Sequence, residues 1–226
     1  MKNFLVQAYS ARPSWIQFVC PAPKRHLQSL ILRLNLKTGL DIGCGEGSPL
    51  TSLRGPAFRS TGIDIDAKSI ERAKCKRLHD DYILGDFRTI DFKQAFDVVV
   101  LSHVIEHFDR DAGWQVLQRL EQLSRCLIYV ETPNGFLEQT SYDDNPFQRH
   151  LSGWFPHDLQ ARGYTVYGSS PKWLTIPLQE RGRLIPEVMR RTLARGLQWY
   201  YFKRPIRAGI IAGIRFRDAA GNLRRG

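Results

Sequence analysis

The chain reads as a doubly wound α/β fold with a seven-stranded sheet, and three observations carry that expectation. Short apolar runs alternate with segments whose apolar residues recur at helical spacing. The run Phe96–Leu101 (FDVVVL) is apolar at almost every position, as a strand covered on both faces must be. A glycine-rich turn, Gly43-Cys44-Gly45-Glu46-Gly47, directly follows the first run, Leu40–Ile42. In this fold, that is the place where the backbone approaches a nucleotide-bearing ligand.

Leu40–Ile42 is therefore the first strand, and a helix is expected after the glycine turn. Ser60–Ile65 is the second strand, Tyr82–Leu84 the third, Phe96–Leu101 the fourth and Cys126–Val130 the fifth. Ala67–Leu78 and Ala112–Leu123 are helices between them, the first with Asp66 at its N-cap. Pro156–Ala161 is a short helix closed by Gly163, Tyr164–Tyr167 the sixth strand and Ala208–Phe216 the last. Between those two strands, Ile185, Val188, Met189, Leu193, Leu197 and Tyr200 form an apolar stripe, with Arg190, Arg191 and Arg195 mostly off it. Four segments follow: 1–38, an N-terminal helical segment; 39–170, the core; 171–205, a basic amphipathic insertion; 206–226, the last strand and a basic tail.

A chain of 226 residues, 42% hydrophobic, supports one sizeable core with appendages. Cys20, Cys44, Cys75 and Cys126 form no CxxC pair, so neither a disulfide framework nor a cysteine zinc site is indicated. No apolar run spans a membrane, and the amino terminus lacks the pattern of a secretory signal. The expected location is the cytoplasm, with a peripheral position at the inner membrane face. Of the net charge of +11, the stretch from Lys172 onward carries +10, with 13 basic and 3 acidic residues. The basic character belongs to the tail.

The glycine pattern is GxGxG, with Ser48 where a dinucleotide fingerprint has its third glycine. Asp64, roughly 20 residues beyond the loop, is placed for a ribose diol at the end of the second strand. Gly85-Asp86-Phe87 follows the third strand, His103-Val104-Ile105-Glu106-His107 the fourth, and Glu131-Thr132-Pro133-Asn134-Gly135 the fifth.

This succession, LDIGCGEG, GIDID, GDF, FDVVVLSHVIEHF and YVETPNG, resembles the class I S-adenosylmethionine (SAM) methyltransferases, particularly types 11, 12 and 23, over about residues 38–170. The resemblance implies a Rossmann-like sheet, mostly parallel with an antiparallel last strand, and SAM as the cofactor. It places Asp41, Gly43 and Gly45 around the methionine part and Asp64 on the ribose. It also places Asp86 and Phe87 about the adenine, with the Ser102 backbone near the cofactor amine.

The HxxEH pattern is also that of a zinc peptidase, but its place directly after the central strand is where the resembling family faces its acceptor. His107 is the first candidate base, with Glu106 and His150 beside it as catalytic groups; no metal is assigned. His103, Asn134, Arg149 and Trp154 are the expected acceptor contacts. An ExxEH motif with a later His marks the small-RNA 2′-O-methyltransferases, and here Glu106, His107 and His150 match it while His103 replaces the first Glu. A metal-assisted RNA methyltransferase is thus the alternative, followed by a non-catalytic nucleic-acid or membrane-surface binding protein. The expected acceptor is a small molecule, a sugar or a lipid-linked compound, with membrane contact through the basic tail and nucleic acid less favoured.

Overall fold

The computed structural model describes residues 22–139, 146–171, 200–217 and 223–225. The amphipathic helix expected within 171–205 lies almost wholly outside these residues. Helix α1 (Pro23–Arg33) precedes strand β1 (Thr38–Ile42). Strand β2 (Arg59–Asp64), helix α2 (Ala67–Cys75) and strand β3 (Asp81–Leu84) follow. Next come β4 (Phe96–Ser102), α3 (Arg110–Leu123) and β5 (Ser124–Pro133). Helix α4 (Pro156–Ala161) leads to β6 (Thr165–Pro171), β7 (Ala208–Arg217) and the short β8 (Leu223–Arg225).

The strands lie in the order β3-β2-β1-β4-β5-β7-β6, with β8 beside β7. β3 through β5 pair in parallel, and β7 runs antiparallel between β5 and β6. The expected antiparallel strand is therefore present, but it is inserted within the sheet and followed by the short β8. Strand order reverses between β1 and β4, which opens a crevice at their carboxyl ends.

The period of two along each strand sorts the core into layers. Leu40, Ile42, Val99 and Leu101 pack with Val116, Leu117 and Leu120 of α3. Val98, Val100, Leu127 and Tyr129 point the other way, onto Leu27 and Ile31 of α1. That division explains the uninterrupted valines of β4: residues 98 to 101 are all fully buried, alternately in the two layers. Burial of each such side chain contributes about 1.5–3 kcal/mol relative to exposure.

Local chemistry fixes the helix starts. Asp66 accepts the Ser69 N–H at 2.8 Å, as expected for the N-cap of α2. Asp109 accepts that of Ala112 at 2.8 Å, so α3 begins two residues earlier than the apolar pattern suggests. The helix expected after the glycine turn does not form; a single 3-10 turn, Thr51–Leu53, stands there. Pro49 and the Gly55-Pro56 pair bracket that segment, and each disfavours helix in the residues before it.

Trp154 is the largest fully buried side chain. A Cβ on Gly113 would lie 2.4 Å from its indole, so only glycine at this point of α3 admits the ring. Arg110 lies 4.2 Å above the Trp154 ring, pairs with Asp158 at 2.7 Å and donates to the Gly153 carbonyl at 2.9 Å. Trp154→Ala should cost about 3–5 kcal/mol of stability, measured as a lowered denaturation midpoint.

Candidate functional site

The candidate site lies along the carboxyl ends of β1, β2, β4 and β5, and it divides into the glycine-loop side, where the sequence leads one to expect the cofactor, and the Ile105–His107 side, where it leads one to expect the acceptor. On the cofactor side, the Gly43 and Cys44 N–H groups both donate to the Ile63 carbonyl, at 2.8 and 3.1 Å, which turns the chain sharply out of β1. Gly43 and Gly45 have φ of +67° and +43°. A Cβ at Gly43 would lie 2.3 Å from Val104 Cγ2. The loop is thus held open by the absence of side chains.

Asp64 is tied to this loop: Oδ2 accepts the Gly45 N–H at 3.0 Å and Oδ1 that of Asp66 at 2.9 Å. Burial raises its pKa, opposed by these two bonds. Each oxygen retains a lone pair for a hydroxyl, which is what a ribose diol requires. Ile65 and Leu84, partly exposed at the ends of β2 and β3, are apolar surfaces in the position of a ring-binding wall. Neither was singled out in the sequence; their signal was an apolar residue one or two positions from each candidate aspartate, Ile65 next to Asp64 and Leu84 two before Asp86.

Other expected cofactor residues are arranged differently. Asp41 faces away from the open loop, with Oδ2 3.4 Å from the buried His79 Nε2, whose Nδ1 lies 3.0 Å from Ser60 Oγ. Gly62 makes room for this pair, since a Cβ there would lie 2.5 Å from the His79 ring. Asp41 therefore acts beneath the loop, as a brace between β1 and β2. Asp86 is held by Arg88, whose Nε donates at 3.0 Å and whose guanidinium lowers the carboxyl pKa. Phe87 is buried edge-on against Phe108, with centroids 6.4 Å apart, so its ring belongs to the core. The Cys44 thiol, pushed up to about 12 by burial and by Asp41 and Asp64, is no nucleophile.

On the acceptor side, β4 ends in Ser102, whose hydroxyl donates to Glu131 Oε2 at 3.0 Å. Glu131 is buried, with Lys24 of α1 3.4 Å away. His103 has φ +56°, a left-handed conformation uncommon for a side-chain-bearing residue, and its N–H donates to the Glu131 carbonyl at 2.8 Å. Its Nδ1 lies 3.3 Å from Glu106 Oε1. Burial pulls the His103 pKa down, but the bond to Glu106 and the charges of Glu106 and Glu131 outweigh it and leave it raised. Burial likewise pushes Glu106 up, and His103 holds it below the usual range.

Glu106 and His107 sit on a 3-10 turn, Ile105–His107, and not on a regular helix. Glu106 is buried, and Thr132 Oγ1 donates to its Oε2 at 3.0 Å. Its carbonyl accepts the Leu151 and Ser152 N–H groups at 2.8 and 3.1 Å, which fastens the 149–155 loop over the turn. That brings His150 to His107, with ring centroids 5.0 Å apart. Ligand-capable atoms of Glu106, His107 and His150 all lie within 4.8 Å of one another.

Both imidazoles are oriented through the main chain. His107 Nδ1 lies 3.0 Å from the Arg149 carbonyl and His150 Nδ1 2.6 Å from that of Leu137. A carbonyl only accepts, so each Nδ1 carries its proton and each neutral ring keeps its lone pair on Nε2. Burial lowers the His150 pKa and favours that neutral form.

Arg149 thus reaches the cluster through its carbonyl, while its side chain is exposed. Asn134 serves the fold: its amide donates to the carbonyls of Pro205, Ile206 and Ala208 at 3.0, 3.2 and 2.6 Å, tying β5 to the start of β7. Trp154, expected as an acceptor wall, is a buried strut. Glu131, Thr132 and Lys24 were not singled out in the sequence. Glu131 and Thr132 stood in a quoted motif, and Lys24 carried no signal because its role depends on where α1 docks.

Comparison with known proteins bears on the domain and its fold. The methyltransferase domain family matches residues 40–129. Nodulation protein S of Rhizobium tropici is 28% identical over 58% of this chain and 56% of its own. A ubiquinone biosynthesis O-methyltransferase of Rhodopseudomonas palustris is 32% identical over 59% of this chain and 52% of its own. The chain spans about half the length of these curated relatives. Among solved structures, the methyltransferase domain of a bacterial Hen1 superposes with a TM-score of 0.51 at 20% identity, covering 85% of this chain and 96% of the other, a likeness of fold. In its motif order, its strand order and the match over residues 40–129, the chain is similar to the class I, S-adenosylmethionine-dependent methyltransferases.

Proposed function

We propose that this protein transfers a methyl group from SAM to an oxygen or nitrogen of a small-molecule, sugar or lipid-linked acceptor, with His107 and His150 next to the reacting atom. The observation that supports this most is the convergence of two imidazoles and a buried carboxylate, with ligand-capable atoms within 4.8 Å of one another, after the end of β4. The residues around the glycine loop fit the cofactor: an open cradle, a carboxylate with free lone pairs and two apolar walls. When bound, SAM supplies an activated methyl on a sulfonium, so the protein's task is to position the acceptor in line and to remove its proton. His107 Nε2 takes that proton, and Glu106, anchored by Thr132, steadies the turn that carries it. Glu131 and Lys24 line the neighbouring floor and set its charge.

The same trio supports a second reading, in which a divalent cation holds the acceptor oxygen. Nε2 lone pairs fixed by Nδ1–H bonds to carbonyls are a common arrangement of metal-binding histidines. Chelation separates the two. On the first reading, turnover is unchanged after treatment with a chelator and removal of the chelator. Loss of turnover that zinc or magnesium restores, together with calorimetric binding of the metal alone that His150→Ala abolishes, would establish the second.

A further inference from the structure

Four exposed apolar side chains cluster at the carboxyl edge of the sheet, around the mouth that holds Glu106, His107 and His150. Phe136 is 61% exposed, Leu151 53%, Phe155 45% and Ile206 75%. Isolated exposed apolar residues are ordinary, but these four are structurally joined. A Cβ on Gly153 would lie 2.4 Å from the Phe136 backbone, and one on Gly135 3.2 Å from the Phe155 ring. Asn134 fastens the Ile206 turn beside them through three carbonyls. Leu151 is held at the same edge by its N–H bond to Glu106.

Among the described residues, the exposed charge around this rim is predominantly positive. Arg149, Lys203, Arg204 and Arg207 are exposed there, and neither 146–157 nor 200–217 contains an acidic residue. The Arg204 guanidinium lies 4.5 Å from the Tyr200 ring and Arg207 Nη1 donates to the Tyr200 hydroxyl at 2.6 Å, which keeps both cations beside Ile206. Among the described residues, Glu138 is exposed beyond Phe136, and Asp158, which accepts the Phe155 N–H at 2.8 Å, is neutralised by its pair with Arg110. Apolar tips flanked by arginine and lysine suit a lipid surface: the tips enter the headgroup boundary while the cations meet anionic headgroups.

We propose that this edge of the protein docks on an anionic bilayer surface through Phe136, Leu151, Phe155 and Ile206, with Arg149, Lys203, Arg204 and Arg207 against the headgroups. Docking does not depend on the reaction; that the acceptor is a lipid-linked molecule delivered from the bilayer rests on the methyl-transfer reading. The mouth would then open toward the membrane.

Sedimentation of the full chain with vesicles tests this, comparing phosphatidylglycerol in phosphatidylcholine with phosphatidylcholine alone, at low and moderate salt. Binding to the anionic vesicles is expected, weakened by salt and nearly absent with the neutral lipid. Arg204→Gln and Arg207→Gln should each weaken it roughly fivefold at low salt, and Phe136→Glu or Ile206→Glu should remove most of it. S-adenosylhomocysteine affinity, measured on each variant, should stay unchanged, which separates this proposal from the methyl-transfer reading. If the glutamate variants fail to fold, the arginine variants decide. No binding to anionic vesicles, equal binding to both lipids, or binding indifferent to every foldable variant would overturn the proposal. So would loss of thermal stability in Ile206→Glu without vesicle binding, since a segment of the chain or a protein partner would then cover the rim.

Discussion

His107→Ala lowers the turnover number by about 10²–10⁴-fold, the usual contribution of a positioned general base, while S-adenosylhomocysteine binds as tightly as before. The separation follows from where the ring sits. Its Nδ1 bond to the Arg149 carbonyl fixes it after the end of β4, whereas Asp64, the proposed ribose carboxylate, is bonded to the glycine loop at the end of β2. His107→Gln retains a polar group without a proton acceptor of comparable basicity and should recover little of the loss. Steady-state kinetics with any acceptor that gives turnover, paired with calorimetry, makes the measurement. Equal loss of turnover and cofactor affinity would place His107 in the frame of the site instead of in the reaction.

Gly43→Ala produces the second large effect, on the other side of the crevice. The backbone there is left-handed at φ +67°, and the added methyl would meet Val104 Cγ2 at 2.3 Å. Left-handed strain and overpacking together cost about 2–4 kcal/mol, which corresponds to a loss of cofactor affinity on the order of 30- to 1,000-fold if the loop adjusts and the fold survives. Val104 lies between His103 and the Ile105–His107 turn, so a shift here also disturbs the acceptor side. Gly47→Ala is the matched control. Nothing lies within 4 Å of a Cβ at Gly47, and that variant should bind as the parent does.

The sheet was readable from the sequence because its strands are short, apolar and punctuated, and because β4 could only be a strand covered on both faces. The glycine turn and Asp64 were readable for a similar reason: backbone approach and a strand-end carboxylate are requirements of position. Side-chain direction was harder. Strand alternation places Asp41 opposite Leu40 and Ile42, on the α1 and α2 face, but its partner His79 comes from a loop with no distinguishing spacing. Trp154 stood in a polar loop and read as an acceptor contact. The signal against that reading was Gly113, a glycine inside a helix that weakens it without an evident local reason. Asn134 likewise stood in a polar turn after a strand, and only the return of β7 reveals the carbonyls it binds. The missing helix after the glycine loop was signalled by Pro49 and Gly55-Pro56, which local pattern outweighed.

The Glu106, His107 and His150 cluster shows how far motif reading extends. Spacing brought Glu106 and His107 to one turn, but the 42 residues between His107 and His150 carry no distance information. What joins them is main-chain hydrogen bonding, from Leu151 and Ser152 to the Glu106 carbonyl and from both rings to carbonyls. A sequence shows which groups are available, and the loop's backbone bonds decide which of them meet.

Calorimetric titration of the purified chain with S-adenosylhomocysteine, with NADH and Asp64→Ala as controls, shows whether the crevice beside Asp64 receives SAM. The expected result is micromolar binding, no response to NADH and strong weakening by Asp64→Ala. A folded protein that binds no S-adenosylhomocysteine, or binds it equally well without the Asp64 carboxylate, would contradict the account.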